Sequence, residues 1–164
     1  TKMSKTSKTT SARPASYRMA AWVSGLVALV GAVVLMTIPV TQAADVVVYK
    51  SPTCGCCAKW VDHLEGAGFN VEVQDRHDLS PIKAEHGVPM RLQSCHTAKV
   101  GDYMVEGHVP ADVIQRMLDE KPDIRGLAVP GMPMGSPGME GPRKDNYSVI
   151  AVGHDGRMKV YARR

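Results

Sequence analysis

The chain has 164 residues and a formal net charge of +4, which is enough for one domain together with a leader segment. Its first 43 residues contain five cations and no acidic residue, and removing these five charges from +4 leaves −1 for the rest. The basic character therefore belongs to the leader, and no nucleic-acid partner is expected.

The leader has the order of a secretory signal. Residues 1–18 are polar and cationic, residues 19–40 carry no charge, and the small-residue end Thr41-Gln42-Ala43-Ala44 follows. This order predicts a signal peptide at 1–43 and a mature domain at 44–164. Pro39 favours cleavage because it ends the apolar helix before the cleavage site; an uncleaved membrane anchor is the alternative. Both alternatives predict an exported, periplasmic domain, and only the anchor would hold it at the membrane.

Four elements are predicted in the first half of the mature chain. Residues 45–50 form a β-branched run that is typical of a short buried strand. After a cysteine-rich loop, apolar residues at helical spacing predict a helix over 58–67, and alternation predicts a strand over 69–73. Ser80-Pro81 is typical of the start of a helix, and Gly87 would end this helix. This order predicts that the first two strands are parallel.

The second half of the chain predicts a strand at 100–105 and then a helix from Val109-Pro110 to Lys121-Pro122. Residues 126–142 are rich in Gly, Pro and Met and indicate a linker. Two alternating runs around His154-Asp155-Gly156 predict a closing hairpin. The whole order follows the thioredoxin arrangement in outline. We therefore predict an α/β, thioredoxin-like fold with a mixed central sheet flanked by helices and a C-terminal β-hairpin.

Three thiols lie between the first strand and the first helix, in Cys54-Gly55-Cys56-Cys57. Unpaired N–H groups and the helix dipole favour thiolates at a helix N-terminus. Thiolates bind soft cations such as Cu(I), or Cys54 and Cys57 form a redox dithiol. The third thiol favours metal, because an extra neighbour would scramble the product of a dithiol enzyme. A structural disulfide from Cys54 or Cys57 to Cys95 is the remaining alternative.

Cys95 and His96 form a second candidate for the same site. In a thioredoxin-like fold the segment after Val88-Pro89 returns beside the redox loop, so Cys95 would reach the other cysteines. The alternative is that Cys95 is a buried free cysteine. The even cysteine count and the adjacent imidazole favour a ligand role for both residues. Zinc also stays open as the ion of such a Cys/His site.

Methionines in the Gly- and Pro-rich run form a third candidate. Thioethers select Cu(I), so Met132 and Met134 are candidate ligands, with Met139 less favoured. The alternative is a loop whose methionines cover an apolar patch. His108, at a helix entrance, is a candidate helix cap, ligand or support for a ligand, whereas His63 is expected to face solvent.

A family resemblance covers nearly all of the mature region, from about residue 46 to 161. The segments that carry it are Tyr49-Lys50-Ser51-Pro52-Thr53-Cys54-Gly55-Cys56-Cys57, Ser94-Cys95-His96-Thr97, Glu106-Gly107-His108-Val109-Pro110 and Pro130-Gly131-Met132-Pro133. The region resembles a family of small exported thioredoxin-like proteins, long classed as a domain of unknown function, that includes the CopG-type periplasmic copper-resistance proteins. The resemblance implies periplasmic copper handling with Cys54, Cys56 and Cys57 as principal ligands. It leaves open whether copper is stored, relayed, reduced or oxidised.

Three functions follow as hypotheses, and no P-loop, G-x-G-x-x-G or H-E-x-x-H pattern adds a nucleotide or peptidase alternative. The first is a periplasmic copper-binding protein for copper tolerance, with Cu(I) bound singly or as a multinuclear, redox-active cluster. Its predicted metal ligands are Cys54, Cys56, Cys57, Cys95, His96, Met132 and Met134. The second is a periplasmic thiol–disulfide oxidoreductase with Cys54 as nucleophile and Cys57 as resolver. The third is a metallochaperone. Copper ions and other periplasmic copper-handling proteins are the expected partners.

Overall fold

The computed structural model describes residues 45–164. The signal peptide or anchor predicted at 1–43, and the domain boundary at residue 44, lie outside these residues. Within 45–164, no helix combines the length and the apolar character that crossing a bilayer requires.

The described residues form three α-helices, one short 3-10 turn and seven strands. The helices are α1 (Gly55–Gly66), α2 (Ser80–Glu85) and α3 (Ala111–Glu120), and the 3-10 turn is Met90–Leu92. The strands are β1 (Asp45–Lys50), β2 (Asn70–Asp75), β3 (His96–Val100), β4 (Tyr103–Gly107), β5 (Gly126–Val129), β6 (Ser148–Val152) and β7 (Met158–Arg163).

All seven strands belong to one mixed sheet in the order β2-β1-β3-β4-β5-β6-β7. The pairs β1–β2 and β4–β5 are parallel, and the other neighbours are antiparallel. The predicted mixed α/β fold with a C-terminal β-hairpin, here β6–β7, is confirmed. The order from β1 to α3 is strand, helix, strand, helix, strand, strand, helix, which is compatible with a thioredoxin-like arrangement.

Two hydrophobic clusters lie on opposite faces of the sheet, because successive strand residues point to opposite sides. The larger one joins α1 and α3 to one face through Trp60, Leu64, Ile114 and Met117, all of which are fully buried. The smaller one consists of Val88, Leu92, Met104, Ala128 and Val152 on the other face. The sheet is therefore covered on both sides at its centre, where β4 and β5 lie.

Two sequence-based assignments differ from the structure. The single strand predicted at 100–105 is a hairpin of β3 and β4, which turns at Gly101 with a φ of +56°. The linker predicted at 126–142 begins with β5, whose four residues are all buried. β5 was not predicted because its short apolar run lacks the alternation of polar and apolar residues. That alternation is absent because the strand is buried on both faces of the sheet.

The close pairing of β4 and β5 depends on Gly126. A Cβ added there would overlap the backbone carbonyl of Met104 on the neighbouring strand. We expect Gly126→Ala to lower the free energy of unfolding by about 1–3 kcal/mol, the usual cost of overpacking. Urea denaturation measures this change.

Gly66→Ala is the matched control for this prediction, because a Cβ at Gly66 meets no atom within 4 Å. That variant should be neutral or slightly more stable, since alanine favours helix over glycine by up to about 1 kcal/mol. Equal unfolding free energies for the two variants would contradict the proposed crowding between β4 and β5.

Candidate metal centre

The three clustered cysteines lie at the N-terminus of α1. Cys54 is the residue that caps the helix, with φ −79° and ψ 92°, and its carbonyl oxygen accepts the first helical hydrogen bond from Ala58 at 3.2 Å. Cys56 and Cys57 lie in the first turn of α1, which begins three residues earlier than the pattern at 58–67 predicts. The predicted placement of sulfur at a helix N-terminus is confirmed.

Cys54 and Cys57 form a disulfide, whereas Cys56 and Cys95 are free thiols. The Cys56 Sγ lies 3.5 Å from the Cys54 Sγ, and the Cys57 Sγ lies 3.8 Å from the backbone oxygen of Cys95. All four sulfur atoms lie within 4.8 Å of one another. The structure therefore joins the cysteines of two distant segments into one cluster, and the pairing of Cys54 or Cys57 with Cys95 does not occur.

The sheet register brings Cys95 to this cluster. β1 and β3 are antiparallel, and Lys50, the last residue of β1, pairs with His96, the first residue of β3. The loop that leaves β1 toward Cys54 therefore starts beside the segment that enters β3. β4 is antiparallel to β3 in turn, so it ends at the same place and is followed there by His108.

Two buried imidazoles flank the Cys95 thiol. The distance from the Cys95 Sγ is 3.5 Å to the Nδ1 of His96 and 3.1 Å to the Nε2 of His108. Both histidines have no exposed surface, and each directs one ring nitrogen to the Cys95 sulfur. Nδ1 of His96 and Nε2 of His108 are therefore the ring nitrogens that an ion bound to the Cys95 thiolate could reach.

Burial favours the uncharged forms of the thiol and the two rings. It lowers the pKa of His96 well below its usual value, with further lowering by the positive charges of His108 and Lys83. It also lowers the pKa of His108, although the Pro137 backbone and Glu140 oppose this. Burial, followed by the charge of Cys56, raises the pKa of Cys95 to about 11. Neutral imidazoles bind metal without losing a proton, whereas Cys95 must release one.

An aromatic wall closes one side of the site. The Trp60 ring lies 4.2 Å from the His96 ring, and the two histidine rings lie 5.3 Å apart. The Trp60 Nε1 donates a hydrogen bond of 2.8 Å to the Val109 carbonyl oxygen. This bond fixes the indole against the segment that carries His108, so water is kept from one side of the imidazoles.

Two overlapping groups of side chains have the donor types and the spacing of a candidate metal site. One comprises Cys54, Cys56, Cys57 and Cys95, and the other comprises Cys57, Cys95, His96 and His108. Thiolate and imidazole donors suit Cu(I) or Zn(II), and sulfur shared between the groups can bridge two ions. The disulfide occupies the sulfurs of Cys54 and Cys57, so the complete donor set requires its reduction.

The methionine-rich segment touches the site through a glycine. A Cβ added at Gly138 would overlap the Cys56 carbonyl oxygen, so only glycine allows this approach to α1. Met132 is 39% exposed, and the Met134 thioether packs against Gly141. The Met134 thioether thus lies against a residue of its own loop, and the Met132 side chain is partly open to solvent. Their role as copper ligands stays a prediction, and Met139, next to Gly138, is the methionine nearest in sequence to the contact.

Comparison with solved structures connects this site to known proteins. Two structures of Copper resistance protein copG, Form 2 and Form 1, are each 44% identical to this chain and cover 75% of it. This chain covers 99% and 98% of them, with TM-scores of 0.72 and 0.71. The chain belongs to the CopG family of copper resistance proteins.

A second comparison agrees with this assignment. The family model described as "Protein of unknown function, DUF411" matches residues 92–139, a range that includes Cys95, His96, His108 and the methionine-rich segment. No curated protein matches the chain. The expected membership in a CopG-type family, based on the cysteine, histidine and methionine motifs, is confirmed.

His108 is a stronger ligand candidate in the structure than its sequence context predicts. Its position beside Cys95 follows from the β3–β4 hairpin, which the single strand predicted at 100–105 conceals. Recognising Gly101-Asp102 as a turn would have placed His108 next to His96. His63 is exposed, as expected, but its Nε2 also accepts a hydrogen bond of 3.1 Å from the Ala111 N–H at the start of α3.

The raised pKa of Cys95 predicts its reactivity in the oxidised, metal-free protein. Only the thiolate reacts with iodoacetamide, so with a pKa of about 11 the alkylation rate should keep increasing from pH 7 to pH 10 and approach its limit only above pH 11. Peptide mass spectrometry measures the rate at Cys95 alone. A rate that levels off near pH 9, the usual thiol value, would contradict the strong desolvation of this site.

Proposed function

We propose that this protein is a periplasmic copper-binding protein for copper tolerance that binds Cu(I) in a cluster of cysteine thiolates. The observation that carries the proposal is the convergence of four sulfur atoms within 4.8 Å of one another. Membership in the CopG family supports copper as the ion. The proposed ligands are Cys54, Cys56, Cys57 and Cys95, with His96 and His108 as nitrogen donors.

The donor chemistry supports Cu(I) in particular. Thiolates are soft donors that stabilise Cu(I), and bridging sulfur allows more than one ion to share the four cysteines. The neutral state of His96 and His108 keeps the added charge of the site low, which suits a univalent ion. Met132 and Met134 are proposed as further soft donors, reached by a movement of their loop over α1.

A second candidate function is favoured by the disulfide itself. Cys54 is partly exposed and Cys57 is fully buried, which is the division expected between an attacking and a resolving cysteine. In that reaction the Cys54 thiolate attacks a substrate disulfide, and Cys57 then displaces the substrate dithiol and leaves Cys54–Cys57 oxidised. This is the thiol–disulfide oxidoreductase hypothesis.

The two functions can be coupled through electrons. Forming the Cys54–Cys57 disulfide from two thiols releases two electrons and two protons, and two Cu(II) ions can accept these electrons to become Cu(I). We therefore include redox activity toward copper in the proposal. Copper ions are the proposed partners, together with other periplasmic copper-handling proteins.

Cys56 distinguishes the two candidates, because it belongs to the sulfur cluster but not to the disulfide. We expect the reduced protein, titrated with Cu(I) without oxygen, to give discrete copper-bound species in native mass spectrometry. Cys56→Ser should hold fewer copper ions, because it removes a potential bridging sulfur, and should keep its exchange with a disulfide substrate.

The opposite result would support the oxidoreductase. In that case the reduced protein stays free of copper, and mild oxidation gives a species lighter by two hydrogen atoms in both the wild type and Cys56→Ser. Cys57→Ser serves as the control, since it removes a ligand and the resolving thiol together and should impair both activities.

His108 provides an independent test of the nitrogen donors. His108→Gln should weaken retention of Cu(I) against a chelator by at least about tenfold, because mutations of groups that merely support ligands already cost that much. His154→Gln is the control, since His154 has an exposed side chain far along the chain in the β6–β7 turn. Equal retention by both variants would remove His108 from the ligand set.

A further inference from the structure

A fully buried carboxylate lies directly behind the candidate ligands. Glu106 of β4 has no exposed surface, and its Oε1 accepts hydrogen bonds from the Lys83 Nζ and the Ser94 backbone N–H, each at 2.5 Å. Its Oε2 accepts a hydrogen bond of 2.7 Å from the Thr97 hydroxyl. Lys83 also donates to the Thr97 hydroxyl at 3.0 Å and is itself buried.

The partners of Glu106 enclose the ligand segment in sequence. Ser94 immediately precedes Cys95, and Thr97 immediately follows His96. On its own strand, Glu106 is followed by Gly107, where a Cβ would come within 2.9 Å of the Ser94 side chain, and then by His108. One carboxylate is therefore bonded to both ends of the Cys95–His96 segment and is two residues from His108.

Stability alone is a poor explanation for this arrangement. Removing a carboxylate and an ammonium group from water costs about as much as their attraction returns, so apolar residues of the same size would serve a core equally well. What apolar residues cannot do is accept the Ser94 N–H, which lies just before β3 begins. Lys83 and Thr97 hold the carboxylate in one orientation, and in that orientation its Oε1 accepts the Ser94 N–H.

We propose that Glu106 is a positioning residue of the copper site, which holds the Ser94 amide so that Cys95 and His96 face Cys57 and His108. Lys83 compensates the charge of the carboxylate, and Thr97 fixes its plane. The expected effect on copper affinity rests on the proposed copper-binding function. The effect on the position of Cys95 can be measured without copper.

The test compares two double variants that both lack the ion pair. Lys83→Met/Glu106→Gln keeps a side-chain oxygen that can accept the Ser94 N–H, whereas Lys83→Met/Glu106→Ala has none. We expect the Gln variant to retain Cu(I) about 10–100-fold more tightly in competition with a chelator, the range by which groups that orient ligands usually act. Equal affinities of two folded variants would overturn the proposal.

Val105→Ala is the control for a simple loss of stability. Val105 is the neighbour of Glu106 on β4, but its buried side chain belongs to the larger hydrophobic cluster. This variant should unfold more easily and still bind Cu(I) as the wild type does. A loss of affinity in Val105→Ala equal to that of the Ala double variant would show that stability, and not position, controls the site.

Two further measurements cover the remaining outcomes. If the Ala double variant does not fold, Glu106→Asp replaces it, because Asp keeps the charge but is shorter by one methylene. Wild-type copper affinity in that variant would overturn the proposal.

If the wild-type protein binds no Cu(I), the proposed function fails and the alkylation rate of Cys95 in the reduced protein decides the inference. That rate should be higher in the Ala than in the Gln double variant, and equal rates would overturn it.

Discussion

The antiparallel pairing of β1, β3 and β4 is the constraint on which the site depends. It makes β1 end where β3 begins and where β4 ends, with Lys50 paired to His96 and Thr97 paired to Glu106. Three segments that are far apart in sequence consequently leave the sheet side by side. A slip of one residue would turn His96 to the opposite face of the sheet, so the site tolerates no other register. The bond from Thr97 to Glu106 and the buried Lys83 oppose such a slip.

Burial then determines the charge of the groups that this register brings together. In a site enclosed by Trp60, the low dielectric constant disfavours the imidazolium ions of His96 and His108 and the thiolate of Cys95. Burial therefore favours the uncharged forms of these three groups. A bound cation would reverse this preference, since it would favour the Cys95 thiolate and accept the imidazole nitrogens as ligands, so metal binding would be linked to proton release.

The sequence was sufficient for the parts of the fold and site that local patterns encode. β1 follows from its β-branched run, and the cysteines lie at a helix N-terminus because a strand signal and a helix signal flank them. β5 could not be found, because residues such as Gly126 and Ala128 gain strand structure only through burial on both faces.

Long-range partners were equally hidden from the sequence. Cys95 could be placed near the other cysteines through the fold analogy, but nothing local indicates that His108 would contact it or that Glu106 would bond to Ser94. These contacts depend on the register of the β3–β4 hairpin. The loop methionines were predicted as copper ligands from composition alone. Composition could not indicate that Met134 packs against Gly141 within its own loop.

Oxidation state connects the two candidate functions, because they compete for the same sulfur atoms. The Cys54–Cys57 disulfide removes two thiolates from the cluster and leaves Cys56, Cys95 and the two histidines as donors. Cu(I) bound to the reduced cluster would in turn protect Cys54 and Cys57 from oxidation. Under the proposed function each state would therefore oppose the other, and the reduction potential of the dithiol would shift with the copper concentration. A protein with only two of these cysteines would lose its site on oxidation, whereas Cys56 and Cys95 allow this chain to keep part of it.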